Sequence, residues 1–217
     1  MKCGLFSLCV SAVGCVLALQ FQSRAIARSQ ETVLHSFAGA PDGAYPDASL
    51  IDVKGTLYST TEGGGTATHA LGTVFALDPG TGAETVVYSF CTKKSRKKLP
   101  RCEDAQAPMA GLIDVKEMLY GTTYYGGSYN AGAVFRLNPR TGAERLLYSF
   151  CNHQNCANGE GPSASLIDEN GMLYGTTQQG GTYNGGTVFA LNPNTGAETV
   201  LYSFGSGGTD GYSPGAA

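Results

Sequence analysis

The tripeptides Tyr88-Ser-Phe90, Tyr148-Ser-Phe150 and Tyr202-Ser-Phe204, with His35-Ser-Phe37 before them, place phenylalanines 53, 60 and 54 residues apart. The same blocks fill each interval in the same order. Leu57-Tyr-Ser-Thr-Thr61, Leu119-Tyr-Gly-Thr-Thr123 and Leu173-Tyr-Gly-Thr-Thr177 are followed by Val74-Phe75, Val134-Phe135 and Val188-Phe189. Asp78-Pro79, Asn138-Pro139 and Asn192-Pro193 then each lead into Thr-Gly-Ala, an Asx-Pro turn with a glycine able to take positive φ. A unit of this length cannot bury its apolar face alone, so the copies must stack on one another. They run approximately over 31–83, 84–143 and 144–197, with a partial copy at 198–217.

Each copy contains four short β-prone runs: Leu-Ile-Asp (from Leu50, Leu112 and Leu166), the Leu-Tyr run, Val-Phe-x-Leu, and the run from Glu to Tyr-Ser-Phe. No helical periodicity competes with them. Thr73-Val-Phe-Ala-Leu77 puts Val74 and Ala76 on one face and Phe75 and Leu77 on the other, as a strand covered on both sides requires. The pattern predicts an all-β, β-propeller-like repeat array of three complete four-stranded blades plus one N-terminal strand, thirteen strands in an incomplete ring. A β-solenoid is the alternative. Asp210-Gly-Tyr-Ser-Pro214 aligns with Asp42-Gly-Ala-Tyr-Pro46, after which the earlier copy continues into a strand. The expectation is therefore a fragment of a longer protein, with head-to-tail self-association as the alternative route to a closed ring.

The Leu-Tyr-Gly-Thr-Thr, Gly-Gly, Gly-Thr-Val-Phe-x-Leu-Asn-Pro-x-Thr-Gly and Leu-Tyr-Ser-Phe blocks resemble those of the choice-of-anchor tandem-repeat family called GloVer-containing. The likeness covers essentially residues 31–217. It implies a secreted or surface-tethered bacterial repeat protein and supplies no catalytic residues to carry over. The Val-Phe-x-Leu-Asx-Pro-x-Thr-Gly segment also looks like the third-to-fourth strand hairpin of kelch and quinoprotein-type propellers. Their outer-strand tryptophan is replaced here by Tyr88, Tyr148 and Tyr202, which speaks against quinone-dependent chemistry.

Lys2, the apolar run Leu5–Leu19 and the small-x-small site Ala25-Ile26-Ala27 predict a signal peptide over 1–27. The run is too short to span a bilayer, so no transmembrane helix is expected in the mature chain. Cys15 after Ala12-Val13-Gly14 loosely resembles a lipoprotein box and is the minor alternative. Cleavage leaves Cys91, Cys102, Cys151 and Cys156, an even number in an oxidising compartment. Three pairings are open; the repeat favours Cys91 with Cys102 and Cys151 with Cys156. The rival, a metal held by Cys151-x-His153-x-x-Cys156, has no evident fourth ligand. With 14 basic against 17 acidic residues, there is no global basic field for a nucleic-acid backbone.

In an up-and-down blade, the short Asx-Pro turns share one face with the first-to-second turns. The Gly-rich segments 62–72, 124–132 and 178–186 share the other with the connections after each Ser-Phe. Variable loops on a rigid scaffold are where binding resides. Tyr124, Tyr125, Tyr129 and Tyr183 are the predicted ligand-binding residues there, suited to stacking on sugar rings or making adaptable protein contacts. The run Lys93-Lys94-Ser-Arg96-Lys97-Lys98-Leu-Pro-Arg101 is read as a solvated insertion or a site for an anionic polymer or membrane. Asp42-Gly43 and Asp210-Gly211 are read as turns in preference to calcium ligands. No catalytic motif is found, and no metal or cofactor is implied. Asp52, Asp114 and Asp168 would supply a glycosidase-like pair only if the chain were an enzyme. As repeated residues they read as architectural, like Glu84, Glu144 and Glu198. The sequence thus predicts a secreted binding module for an extracellular glycan or protein. The alternative is a carbohydrate-active enzyme on the same scaffold.

Overall fold

Hairpin turns set the register of the whole molecule. In the computed structural model, Asp78 Oδ1 accepts the N–H groups of Gly80 and Thr81, Asn192 Oδ1 accepts those of Asn194 and Thr195, and Asn138 Oδ1 accepts that of Arg140. Gly82, Gly142 and Gly196 take the positive φ that ends each turn, at 72°, 67° and 73°. The structure describes residues 31–66, 71–92, 102, 104–207 and 209–215. The predicted signal peptide, the basic run 93–101, His69 and Glu103 lie outside them.

Three four-stranded antiparallel sheets follow, each with its strands in sequence order. Blade one contains β2 (Ile51–Val53), β3 (Thr56–Thr61), β5 (Thr73–Leu77) and β6 (Glu84–Ser89). Blade two contains β7 (Ile113–Val115), β8 (Met118–Thr123), β9 (Ala133–Leu137) and β10 (Glu144–Ser149). Blade three contains β11 (Ile167–Glu169), β12 (Met172–Thr177), β13 (Thr187–Leu191) and β14 (Glu198–Ser203). A two-residue ladder joins β1 (Gly43–Ala44) to β4 (Gly63–Gly64). All three blades belong to the compact unit Val33–Ala217. The fold is the all-β, propeller-like array that the repeat predicts.

The predicted N-terminal strand is a correction. Residues 31–38 carry no ladder, because a fourth strand needs a third strand beside it and the described residues offer none. The segment nevertheless keeps the packing of its counterparts. Phe37 meets Phe75 edge to face at 4.9 Å, just as Phe90 meets Phe135 at 5.1 Å and Phe150 meets Phe189 at 5.0 Å.

These phenylalanines lie at the centre of each seam between blades. Phe90, Leu112, Leu119, Phe135 and Leu137 form one buried cluster with Val74, and Phe150, Leu166, Leu173, Phe189 and Leu191 form the next with Val134. Each fully buried leucine or phenylalanine contributes about 1.5–3 kcal/mol, so the stacked copies stabilise one another. Gly121 and Gly175 let the rings in, since a Cβ on either would lie 2.7 Å from Phe135 Cζ or Phe189 Cζ. The Thr-Thr pair of each second strand bonds in two directions. Thr60 and Thr122 donate to the carbonyls of Ala110 and Ala164 across a seam, while Thr61 and Thr177 bond Thr73 and Thr187 inside their blade.

Candidate functional site

The long-loop face is assembled from two chain segments at each blade. The segment after Ser-Phe returns across the seam and makes a bridge with the loop between the second and third strands: Ala44 with Gly63, Gln106 with Tyr125, and Glu160 with Gln179. Each returning segment reaches a proline, and the residue before it has positive φ: Tyr45, Ala107, Gly161 and Ser213. Pro108, Pro162 and Pro214 then seat against Gly72, Gly132 and Gly186. Two disulfides, Cys91–Cys102 and Cys151–Cys156, close the variable part of the second and third returning segments. The local pairing expected from the repeat is the one formed.

Of the four tyrosines predicted for this face, Tyr125, Tyr129 and Tyr183 are exposed. They do not share one site. Tyr125 borders a cleft of about 280 Å³ at the seam between blades one and two, together with Tyr45, Glu62, Gly63, Leu71, Gln106 and Ala107. Tyr129 borders a different depression, with Tyr148 and Asn152 on the outer edge of blade two. Tyr124 packs inward instead. Its hydroxyl donates to Gln178 Oε1, its ring meets Tyr125 edge to face at 4.7 Å, and Gly161 lies against it.

Tyr45 is the residue that sequence reasoning misses. It is 68 % exposed, against 45 % for Tyr125, so the cleft has an accessible ring from each of two blades. Its backbone is held by Glu62, whose N–H donates to the Tyr45 carbonyl, and Tyr125 exchanges two backbone hydrogen bonds with Gln106. The Gln106 amide is fixed by its Nε2 donating to Asn130 Oδ1. Two rings with a carboxylate and an oriented amide can stack on an apolar face and bond the polar groups at its rim. The signal in the sequence is an aromatic at the pre-proline position, where the other copies carry alanine, glycine and serine.

A second constellation recurs at the seams. Tyr88 donates to Asp104 at 2.9 Å and, at 3.4 Å, to Glu144 of the next blade; Tyr148 donates to Glu198 and accepts from Asn158 Nδ2. Burial raises the pKa of both hydroxyls. The repeated glutamates are therefore seam residues, as their recurrence predicts. His35, Asp42 and Glu84 occupy the corresponding places in the first copy.

The repeated aspartates sit apart from all this. Asp52, Asp114 and Asp168 are exposed in the first strands of three separate blades, and Asp52 caps its hairpin by accepting the Gly55 N–H at 2.7 Å. No helix among the described residues is long and apolar enough to cross a membrane.

A family model described as the Gloeobacter/Verrucomicrobia repeat matches residues 20–217. No curated protein matches the chain. Among solved structures, the nidogen/laminin complex aligns at 16% identity and a TM-score of 0.46, over 81% of this chain and 52% of that one. A europium-containing methanol dehydrogenase aligns at 17% identity and a TM-score of 0.45, over 82% of this chain and 27% of that one. For a 6-phosphogluconolactonase-like protein of Bacteroides fragilis the figures are 17%, 0.36, 72% and 39%. This chain thus spans about half or less of the length of each.

Proposed function

We propose, from the premise that this chain belongs to the Gloeobacter/Verrucomicrobia repeat family, that it is a secreted or cell-surface binding module whose long-loop face takes an extracellular glycan. The observation that carries this reading is the cleft between Tyr45 and Tyr125, with Glu62 and Gln106 at its rim. Aromatic rings stack on the apolar faces of sugars, and a carboxylate with an amide bonds their hydroxyls. A protein ligand would use the same rings as adaptable contacts. Two disulfides support an oxidising compartment, as a signal peptide over 1–27 requires.

The test is a glycan-array screen of the oxidised chain, with released reducing sugar assayed on every hit. Binding without release is expected. Release would return the enzyme reading, and no binding to any glycan would turn the search to protein ligands.

Head-to-tail self-association is a second reading, favoured by the outer face of blade three. Ile167, Tyr174 and Val188 line an apolar groove of about 360 Å³ there, on the face that blades one and two bury against the next blade. Light scattering after size-exclusion chromatography tests it. A concentration-dependent dimer is expected, and a strict monomer would sink the idea.

A further inference from the structure

The first copy departs from the others at one chemically decisive position. Where three copies carry Tyr88, Tyr148 and Tyr202 before Ser-Phe, the first carries His35. The tyrosines each donate a hydroxyl proton to an acid: Tyr88 to Asp104 at 2.9 Å and Tyr148 to Glu198 at 2.9 Å within seams, and Tyr202 to Asp210 at 3.0 Å at an exposed position. A phenol in that place donates one proton to one carboxylate oxygen. An imidazole instead brings a ring nitrogen to two carboxylates, one that donates to Asp42 when it carries the proton and can ligate an ion when it does not.

In the first seam, His35 Nε2 lies 3.1 Å from Asp42 Oδ2, and one ligand atom from each of His35, Asp42 and Glu84 lies within 4.8 Å of the other two. The three come from separate parts of the chain: the segment before blade one, the returning loop, and the start of β6. Glu84 Oε1 is buried and has no hydrogen-bond partner, as is true of Glu198 Oε1 at the same position of blade three, so what the first seam adds is the imidazole nitrogen beside the two carboxylates. Leaving a carboxylate oxygen buried and unpaired is costly unless a positive charge faces it.

The other groups hold their positions without filling that gap. Asp42 Oδ2 also accepts the Ala38 N–H at 3.1 Å, and Oδ1 accepts the Gly43 N–H at 2.6 Å. The His35 ring is set by an edge contact with Phe37 at 4.8 Å. Backbone donors orienting a ligating carboxylate, and packing that fixes a ring, are the supports a metal site needs. The electrostatics agree. Burial and the neighbouring Asp42 charge push the Glu84 carboxyl upward, with His35 opposing. At Asp42 burial works the same way but is outweighed by hydrogen bonds from Gly43, Ala38 and His35, which hold the carboxyl below its usual value.

We propose that His35, Asp42 and Glu84 form a binding site for one divalent ion of the zinc class. The donor set decides the class. One imidazole nitrogen with two carboxylates suits zinc and similar transition ions, whereas calcium and magnesium take all-oxygen sets. Two ionised carboxylates with a neutral imidazole balance a charge of +2, and three protein donors leave a fourth position for water. The ion ties the segment before blade one to β6. It also fixes the loop that runs from Asp42 to Tyr45, one wall of the glycan cleft. The site stands on its own residues and does not depend on what that cleft binds.

The experiment is titration of the full, oxidised, chelator-treated chain with Zn²⁺ by calorimetry, and with Co²⁺ by visible absorption. Mg²⁺ and Ca²⁺ serve as controls. One equivalent of Zn²⁺ is expected, bound at least tenfold more tightly than Ca²⁺, with a Co²⁺ spectrum of low-symmetry N/O coordination. His35→Tyr installs the residue of the other copies, so the fold is retained, and it should weaken Zn²⁺ binding at least tenfold; Glu84→Gln should do the same. His153→Ala should leave binding unchanged. Absence of saturable Zn²⁺ binding to the unaltered chain would overturn the proposal, as would equal binding by His35→Tyr.

Discussion

The hydroxyl of Tyr88 donates to Asp104 Oδ2 at 2.9 Å, and the same oxygen accepts both the N–H and the hydroxyl of Thr92. Asp104 is 1 % exposed, and these three donors all meet Oδ2, leaving Oδ1 without a hydrogen bond. Tyr88→Phe removes one of them without changing the packing of the ring against Phe90. A loss of about 1–3 kcal/mol in urea denaturation is expected. Tyr202→Phe deletes the corresponding bond to Asp210 at an exposed position and should cost much less. Equal losses would show that burial of the seam does not set the strength of the bond.

The seat of Pro108 on Gly72 makes a sharper test of how the blades lock. Gly72 has φ +108°, and a Cβ there would lie 2.5 Å from Pro108 Cδ and 2.6 Å from the Thr61 carbonyl oxygen. Gly72→Ala combines backbone strain with a clash against proline and backbone, and should cost about 2–3 kcal/mol. Gly55 has φ +86° with nothing within 4 Å, so Gly55→Ala carries the backbone cost alone, about 1 kcal/mol. Thermal unfolding of the two variants side by side reads the difference. If both lose the same amount, the proline contact is not what excludes a side chain.

The two disulfides close loops of different length, with sequence separations of 11 and 5. Chain-entropy reasoning gives roughly 3 kcal/mol for the longer and roughly 2 kcal/mol for the shorter. Replacing Cys91 and Cys102 by serine should lower the urea midpoint more than replacing Cys151 and Cys156. Cys91 and Cys102 are also the more buried pair, which adds to the effect. The reverse order would mean that the shorter loop carries native contacts beyond the bridge itself.

Glu198 makes stability depend on pH in a direction opposite to that of an ordinary paired carboxylate. Burial raises its pKa, outweighing the Tyr148 hydroxyl and His153, which favour the charged form. The native chain therefore holds a proton at pH values where the unfolded chain has released it. The stabilising contribution is fully present below the unfolded value of about 4.3 and is lost as pH rises through the raised native value. Glu198→Gln is neutral throughout. The variant's melting temperature minus that of the unaltered chain should therefore be highest at neutral pH and fall as the pH drops into the carboxylate range. A difference independent of pH would contradict the assignment.

Much of this architecture is legible in the sequence because a repeat states each contact several times. Phe90, Phe150 and their third-strand partners announce a seam by recurring at a common spacing, and the turns at Asp78, Asn138 and Asn192 set strand lengths. The N-terminal strand fails to form for a physical reason: residue pattern reports what a segment can pair with, and pairing also needs a neighbour. Tyr124 and Tyr125 differ by one place and lie on opposite sides of the chain, one beneath Gly161 and one facing the cleft, and composition alone cannot say which is which. Tyr45 is hidden by the opposite circumstance, since only one copy has an aromatic there. His35, Asp42 and Glu84 converge only through the stacking of a loop on a blade, although His35 stands out against three tyrosines.

That distinction between neighbouring tyrosines gives the glycan reading its most discriminating test. Tyr125 borders the cleft with an exposed ring and makes its backbone bonds to Gln106 whatever its side chain is. Tyr125→Ala should leave the melting temperature within about 2 °C of the unaltered chain, as surface substitutions do. On any glycan that the array identifies, it should weaken binding about tenfold by loss of a stacking face. Tyr45→Ala should act likewise from the other wall. Tyr124→Ala should do the reverse: it removes the bond to Gln178 and the ring under Gly161, lowering stability while the cleft rings remain. Calorimetric binding and thermal unfolding of the three variants separate the effects. If Tyr124→Ala abolishes binding with stability intact while Tyr125→Ala does nothing, the ligand lies elsewhere on the face and the cleft is not the site.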